Sequence, residues 1–210
     1  MELLINDRYL NNPNDRVLDY VIAKRKSGAP IIGMYCGYAP IELVRAIGAV
    51  PVFLCAFSRK TIPDAETILP ANLCPLIKSS FGFILTDTCP FYSLSDAIIG
   101  ETTCDGKKKM FELIRHIKPT HIMDLPQQSD ERETLDTWVV MVHKLKNFLE
   151  KTFSAIITDE RLEAEIKETN RKNRLMNEFF AYTENDPPLI SWSELYDVFA
   201  LEYVSNSYEL

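Results

Sequence analysis

Glycine and histidine are scarce in this chain of 210 residues, at seven and three copies. No GxGxxG or Walker-type loop occurs, so the backbone lacks the glycine-lined cradle that usually holds nucleotide phosphates. Any use of ATP is therefore expected to come from a partner. His116, His121 and His143 are scattered and make no metal-ligand spacing. His121 lies in an apolar strand-like run and reads as a hydrogen-bonded core residue; His143 lies on a long helical pattern and reads as exposed or packing. No CxxC pair is present, which argues against a closed zinc site built from local sequence. No apolar run approaches the length needed to cross a bilayer. The opening stretch MELLINDRYLNNPNDR has no basic segment leading into an apolar one, so no secretory signal is expected. A cytoplasmic protein is the resulting expectation. Basic residues are outnumbered, 23 against 30 acidic, for a net charge of −7. That balance argues against non-specific binding to nucleic acid. Ser79 and Ser80 follow a lysine inside a helical run with no His–Asp relay, so serine-hydrolase chemistry is not expected.

What is present is an ordinary globular balance, 46% hydrophobic and 25% charged. A chain of this length buries enough surface to fold without disulfides. Residues 15–27 carry apolar side chains at helical spacing, with Gly28 placed to end the helix. A short apolar run follows at 30–35, a helix at 40–47 from Pro40 to Gly48, and a second strand at 50–54. Pro51 removes a ladder donor, which places that strand toward a sheet edge. A helix over 75–85 opened by Pro75, a strand at 96–100, a helix at 105–117 and a strand at 120–125 complete the series. Strand and helix alternate with short connections, the pattern of an α/β fold with an open parallel sheet flanked by helices, a Rossmann- or flavodoxin-like half-domain. From about 130 onward the chain is helical. A capping residue is expected at Thr158 or Asp159, a break at Pro187-Pro188, and a last helix capped by Ser191 or Ser193. The expected division is an α/β cluster-binding domain over 1–128 and a helical segment over 129–210.

All five cysteines (Cys36, Cys55, Cys74, Cys89 and Cys104) fall within 69 residues, and the last 106 residues contain none. Cytosolic thiols this unevenly distributed suggest metal or redox chemistry, against a plainer reading as small buried hydrophobes. Cys36 and Cys55 directly follow strands, and Cys104 lies between a strand and a helix. Ligands of open α/β sheets bind at that carboxyl edge. Cys74 adds a helix start fixed by Pro75. Thiolates are stabilised near helix N-termini by unpaired N–H groups. Spacing alone leaves a metal or cluster and inert cysteines equally open.

Three segments shift that balance: GMYCGYAPIELVRAIGAVPVFLCA, LPANLCPLIKSSFGF and DAIIGETTCDGKKKMFELI. Together with PTHIMDLP they resemble successive motifs of the 2-hydroxyacyl-CoA dehydratase D-component family, nearest to its double-cubane-cluster branch, over roughly residues 15–205. The resemblance implies an iron–sulfur cofactor, either [4Fe–4S] or a double-cubane [8Fe–9S] cluster. It gives Cys74 and Cys104 as ligands, Cys36 as an additional one and Cys89 as a weaker candidate. Cys55 is expected to be structural. Lys107, Lys108 and Lys109 either offset a negatively charged cluster or contact a phosphate-bearing partner, or simply form a solvated helix face. Glu42 and Glu101 sit near Cys36 and Cys104 in sequence and are expected in salt bridges, with a proton-transfer or supporting role as the alternative.

The resemblance further implies an ATP-dependent iron–sulfur activator as electron donor and an acyl-CoA or small-molecule substrate. In the dehydratases the electron reaches the thioester carbonyl, and the ketyl radical expels the hydroxyl to give the enoyl-CoA. Family members are about twice this length and carry a second α/β domain with further cysteines. This chain ends at Tyr208-Glu-Leu210, so a split gene, a truncation or a decayed paralogue all remain open. A second α/β domain on another chain and a dimer are expected. The competing expectation is a truncated relative acting as an interaction or assembly module.

Overall fold

The four apolar runs become four short strands: β1 (Ile31–Met34), β2 (Val50–Phe53), β3 (Ala97–Glu101) and β4 (Thr120–Met123). The computed structural model describes residues 13–56, 58–128 and 131–205. All pairings are parallel and the spatial order is β2-β1-β3-β4, with Ile32 opposite Pro51 and Ala97, and Ile98 opposite Thr120. Pro51 does lie on an edge strand, where its missing N–H costs no ladder bond.

Parallel strands need crossovers, and the helices supply them on both faces. The chain begins with α1 (Pro13–Lys26), then α2 (Ile41–Ala46) between β1 and β2. Between β2 and β3 run α3 (Ile62–Ala65), α4 (Pro75–Leu85) and α5 (Pro90–Leu94). Then α6 (Asp105–Ile114) joins β3 to β4, and α7 (Arg132–Phe153), α8 (Asp159–Ala181) and α9 (Trp192–Ser205) follow. The helices expected over 40–47 and 105–117 end earlier than their apolar spacing suggested; α3 and α5 were not expected at all.

Alternating side chains split the sheet into two cores. Ile31, Tyr35 and Ile98 face one core with Val17, Val21, Phe81, Met110 and Phe111. Ile32, Met34 and Ile99 face the other with Leu43, Val44, Leu145 and Leu149. Phe81 and Phe111 are almost fully buried, each contributing about 2–3 kcal/mol relative to exposure. Leu145 and Leu149 of α7 complete the second core, and α8 packs on α2 while α9 packs on α1 and β2. Helices of the segment expected over 129–210 pack against the α/β unit. The expected boundary at 128/129 falls at residues 129–130, outside the described ones, as do residues 1–12 and 206–210.

The caps follow the sequence. Thr158 Oγ1 accepts from the Arg161 N–H at 3.3 Å. Ser191 and Glu194 form a reciprocal pair, Glu194 N–H to Ser191 Oγ at 3.2 Å and Ser191 N–H to Glu194 Oε2 at 2.8 Å, the two-way arrangement of a capping box. Among the described residues no helix is long and apolar enough to cross a membrane.

Candidate functional site at the sheet edge

The chain leaves β1 toward β2 on one side and returns to place β3 on the other. The carboxyl ends of β1 and β3 therefore diverge, and ligands of open α/β sheets bind in the crevice this reversal leaves. Cys36 follows β1 after one residue, and Cys104 follows β3 after two.

Cys36 has a positive φ of 67° and is followed by Gly37 at φ 79°. The Gly37 N–H bonds back to the Tyr35 carbonyl at 2.9 Å, so Cys36 is the apex of a three-residue turn. A non-glycine residue adopts this region only at a cost of about 1 kcal/mol or more, which is typical of functional sites. Its sulfur is 3.4 Å from Thr103 Oγ1 and accepts a hydrogen bond from the Lys107 ammonium. Burial pushes the Lys107 pKa down. The bond to Cys36 and the negative charge of Cys36, Cys55 and Cys104 outweigh it and raise the value. Lys108 and Lys109, by contrast, are exposed and pair along their own helix with Asp105 at 3.3 Å and Glu112 at 2.6 Å.

Cys74 caps α4 and Cys104 caps α6, both exposed, and neither side chain bonds to its own helix. The two helix starts abut. A Cβ on Gly106 would stand 2.6 Å from Ile77 Cδ1 and 2.9 Å from Leu73 Cδ1, so a larger residue here would require those side-chain ends to shift. Cys89 caps α5 differently. Its sulfur accepts from the Tyr92 N–H at 3.4 Å, it packs against the first core, and burial raises its thiol pKa. Cys55 follows β2, half-buried against the same core.

Glu101 ends β3 fully buried. Its Oε1 accepts from the N–H groups of Tyr38 at 2.9 Å and Ala39 at 2.8 Å, which ties the loop beyond Cys36 to β3. Oε2 has no partner among the described residues. Burial lifts the Glu101 pKa to about 7, against the lowering pull of those two N–H groups and of Lys107. The salt bridge expected for Glu101 is therefore replaced by backbone bonding, because its carboxylate points into the strand end rather than outward to a cation.

The lysine and serines of the IKSS stretch serve the fold. Lys78 is buried and donates to Glu66 Oε1 and to the Ala71 carbonyl, both at 2.6 Å. Ser79 donates to the Ser58 carbonyl, and Ser80 accepts from the Ala56 N–H at 3.2 Å. These contacts pin the long β2–α4 connection. His121 stacks on Phe148 at 5.0 Å, and its buried Nε2 has no partner among the described residues, where a hydrogen-bonded core residue was expected. Burial, with the nearby Lys144, lowers its pKa.

Among the described residues, no three or more His, Cys, Asp or Glu side chains are grouped to hold a metal ion. The sequence pattern put Cys36, Cys55 and Cys104 after strands at this edge and added Cys74 at a helix start, but missed the Thr103 contact to Cys36 and the burial of Glu101. The signal for Glu101 was a carboxylate ending a wholly apolar strand.

Residues 36–210 match the family described as 2-hydroxyglutaryl-CoA dehydratase, D-component. The chain is 41% identical over 178 residues to "Putative dehydratase subunit YjiM" of Escherichia coli (strain K12), covering 85% of this chain and 46% of that protein. It is 26% identical over 189 residues to "Lactoyl-CoA dehydratase subunit beta" of Anaerotignum propionicum, covering 90% and 49%. The chain thus spans about half the length of the curated relatives it matches.

Proposed function

Since the chain belongs to the 2-hydroxyglutaryl-CoA dehydratase D-component family, we propose that it forms the iron–sulfur-binding part of a 2-hydroxyacyl-CoA dehydratase-like or double-cubane-type reductase. The observation that carries this reading is the pair of exposed thiols, Cys74 and Cys104, free of capping bonds at two abutting helix starts on the ligand-binding edge of the sheet.

The donor set fits a cluster better than a single ion. Each iron of a cluster takes one thiolate, so its ligands stand further apart than those around one metal ion. Cys74, Cys104 and Cys36 are the sulfurs that would hold it, with Cys89 a weaker candidate because its sulfur already caps α5. The remaining ligands would come from a second α/β region, on this or another polypeptide. A bound cluster supplies one-electron transfer at low potential.

The chain's own groups prepare the edge. Glu101 fixes the loop that presents Cys36, and Gly106 packs the start of α6 against Leu73 and Ile77 at the start of α4. An ATP-dependent iron–sulfur activator as electron donor, an acyl-CoA or small-molecule substrate, and a dimeric assembly complete the proposal. Exposed Trp192 and Tyr196 on α9 support association with further polypeptide.

A second reading is a non-catalytic interaction module, for which the exposed Trp192 and Tyr196 of α9 offer a contact surface. Anaerobic reconstitution separates the two. The cluster reading expects bound iron and sulfide with broad visible absorption. A featureless spectrum with no iron, also in the presence of the part of a relative that this chain does not match, would sink it.

A further inference from the structure

The run Lys107-Lys108-Lys109 looks uniform in sequence, but its members occupy different environments. Lys108 and Lys109 find carboxylates on their own helix and solvent around them. Lys107 is half-buried, makes no ion pair with a carboxylate among the described residues, and gives its ammonium to the Cys36 sulfur instead. Cys36 is in turn held by its strained turn and by Thr103. We propose that Lys107 is a positioning residue of the cysteine edge, whose N–H···S bond orients the Cys36 sulfur.

The physical case is one of compensation. Moving an ammonium into a half-buried position is unfavourable unless an anionic acceptor awaits it. Here the acceptor is the Cys36 sulfur. The contact itself does not depend on a cluster. Its redox consequence rests on the cluster reading: hydrogen bonds to sulfur and nearby positive charge favour the reduced, more negative state, so Lys107 would raise the potential.

The test has two arms, chosen so that the two ideas fail separately. In the metal-free chain, acetylation of lysines by an N-hydroxysuccinimide ester, read residue by residue by mass spectrometry, is expected to modify Lys107 about tenfold more slowly than Lys108. Cys36→Ala is expected to bring Lys107 up to the rate of Lys108 and leave Lys108 and Lys109 unchanged. Equal rates for Lys107 and Lys108 in the wild-type chain, or no response to Cys36→Ala, would overturn the proposal whether or not iron binds. In reconstituted protein, Lys107→Met is expected to keep its iron but shift the oxidised-to-reduced ratio at fixed potential about tenfold toward the oxidised form, about 59 mV for one electron. Lys107→Arg, which keeps the charge and the donors, is expected to restore most of that shift. A wild-type potential in Lys107→Met would refute the redox role. Failure of the wild-type chain to take up iron, both alone and together with the part of a relative that it does not match, would refute the cluster reading and leave the first arm to decide the contact.

Discussion

Three helices of this protein begin with a cysteine, and two of those three cysteines are followed by proline, yet the three sulfurs have different fates. At α5, Cys89 turns inward, accepts the Tyr92 N–H and packs on the core. At α4 and α6, Cys74 and Cys104 point outward and leave their own helices uncapped. The difference is position relative to the sheet. The start of α5 lies against the first core, where an unsatisfied N–H would be costly and a sulfur is the available acceptor. The starts of α4 and α6 lie at the carboxyl edge, where water or a ligand can satisfy the same N–H groups. One local signature therefore serves a structural cap in one place and a candidate ligand in the other.

That contrast can be broken most visibly by chemistry. In the reduced, metal-free chain, iodoacetamide is expected to alkylate Cys74 and Cys104 at least about tenfold faster than Cys89, because Cys89 is half-buried with a raised thiol pKa. Mass spectrometry of the digested chain reads all three rates together, and equal rates would remove the distinction.

A smaller effect concerns the carboxylate that shapes the edge. Because burial raises the folded Glu101 pKa to about 7 from its ordinary 4.5, the folded chain binds that proton more tightly than the unfolded one. Its stabilising contribution is then fully present below the unfolded value and lost as pH rises through about 7. Glu101→Gln keeps an acceptor for Tyr38 and Ala39 without the charge. It is expected to flatten the stability profile between those limits and to be more stable than wild type at pH 8 by on the order of 1–3 kcal/mol. Denaturant titrations across pH measure this; parallel profiles for the two proteins would contradict it.

The smallest expected effect is at the structural cap. Cys89→Ala should cost about 1 kcal/mol, as loss of a capping acceptor does, while Cys89→Ser should stay within about 0.5 kcal/mol of wild type. Corresponding Cys74→Ala and Cys104→Ala changes should leave metal-free stability nearly unaltered, since neither sulfur caps its helix.

Much of this architecture was legible in the residues. The four apolar runs sat between punctuating glycines and prolines, and Pro75 fixed the start of α4 at its observed residue. The short helices α3 and α5 were not legible, since four or five residues complete little more than one turn and show no 3.6-residue period. Cys89-Pro90 repeats the signal of Cys74-Pro75, and could have marked α5 had it been weighed in the same way. The positions of Cys36 and Cys55 just after strands, and of Cys74 and Cys104 at helix starts, were legible in the sequence. The fates of Lys107 and Glu101 were not, because each depends on which partners the fold brings from 60 or more residues away. A run of three lysines carries no local mark of which one will face sulfur.

The central claim is that the outward cysteines, not the inward ones, make the site. Iron and sulfide content after anaerobic reconstitution, compared between Cys104→Ser and variants at Cys89 and Cys55, tests it most directly. The account expects Cys104→Ser to lose most of the bound iron, while Cys89→Ser and Cys55→Ser hold close to the wild-type amount. Equal occupancy in all three variants would contradict it.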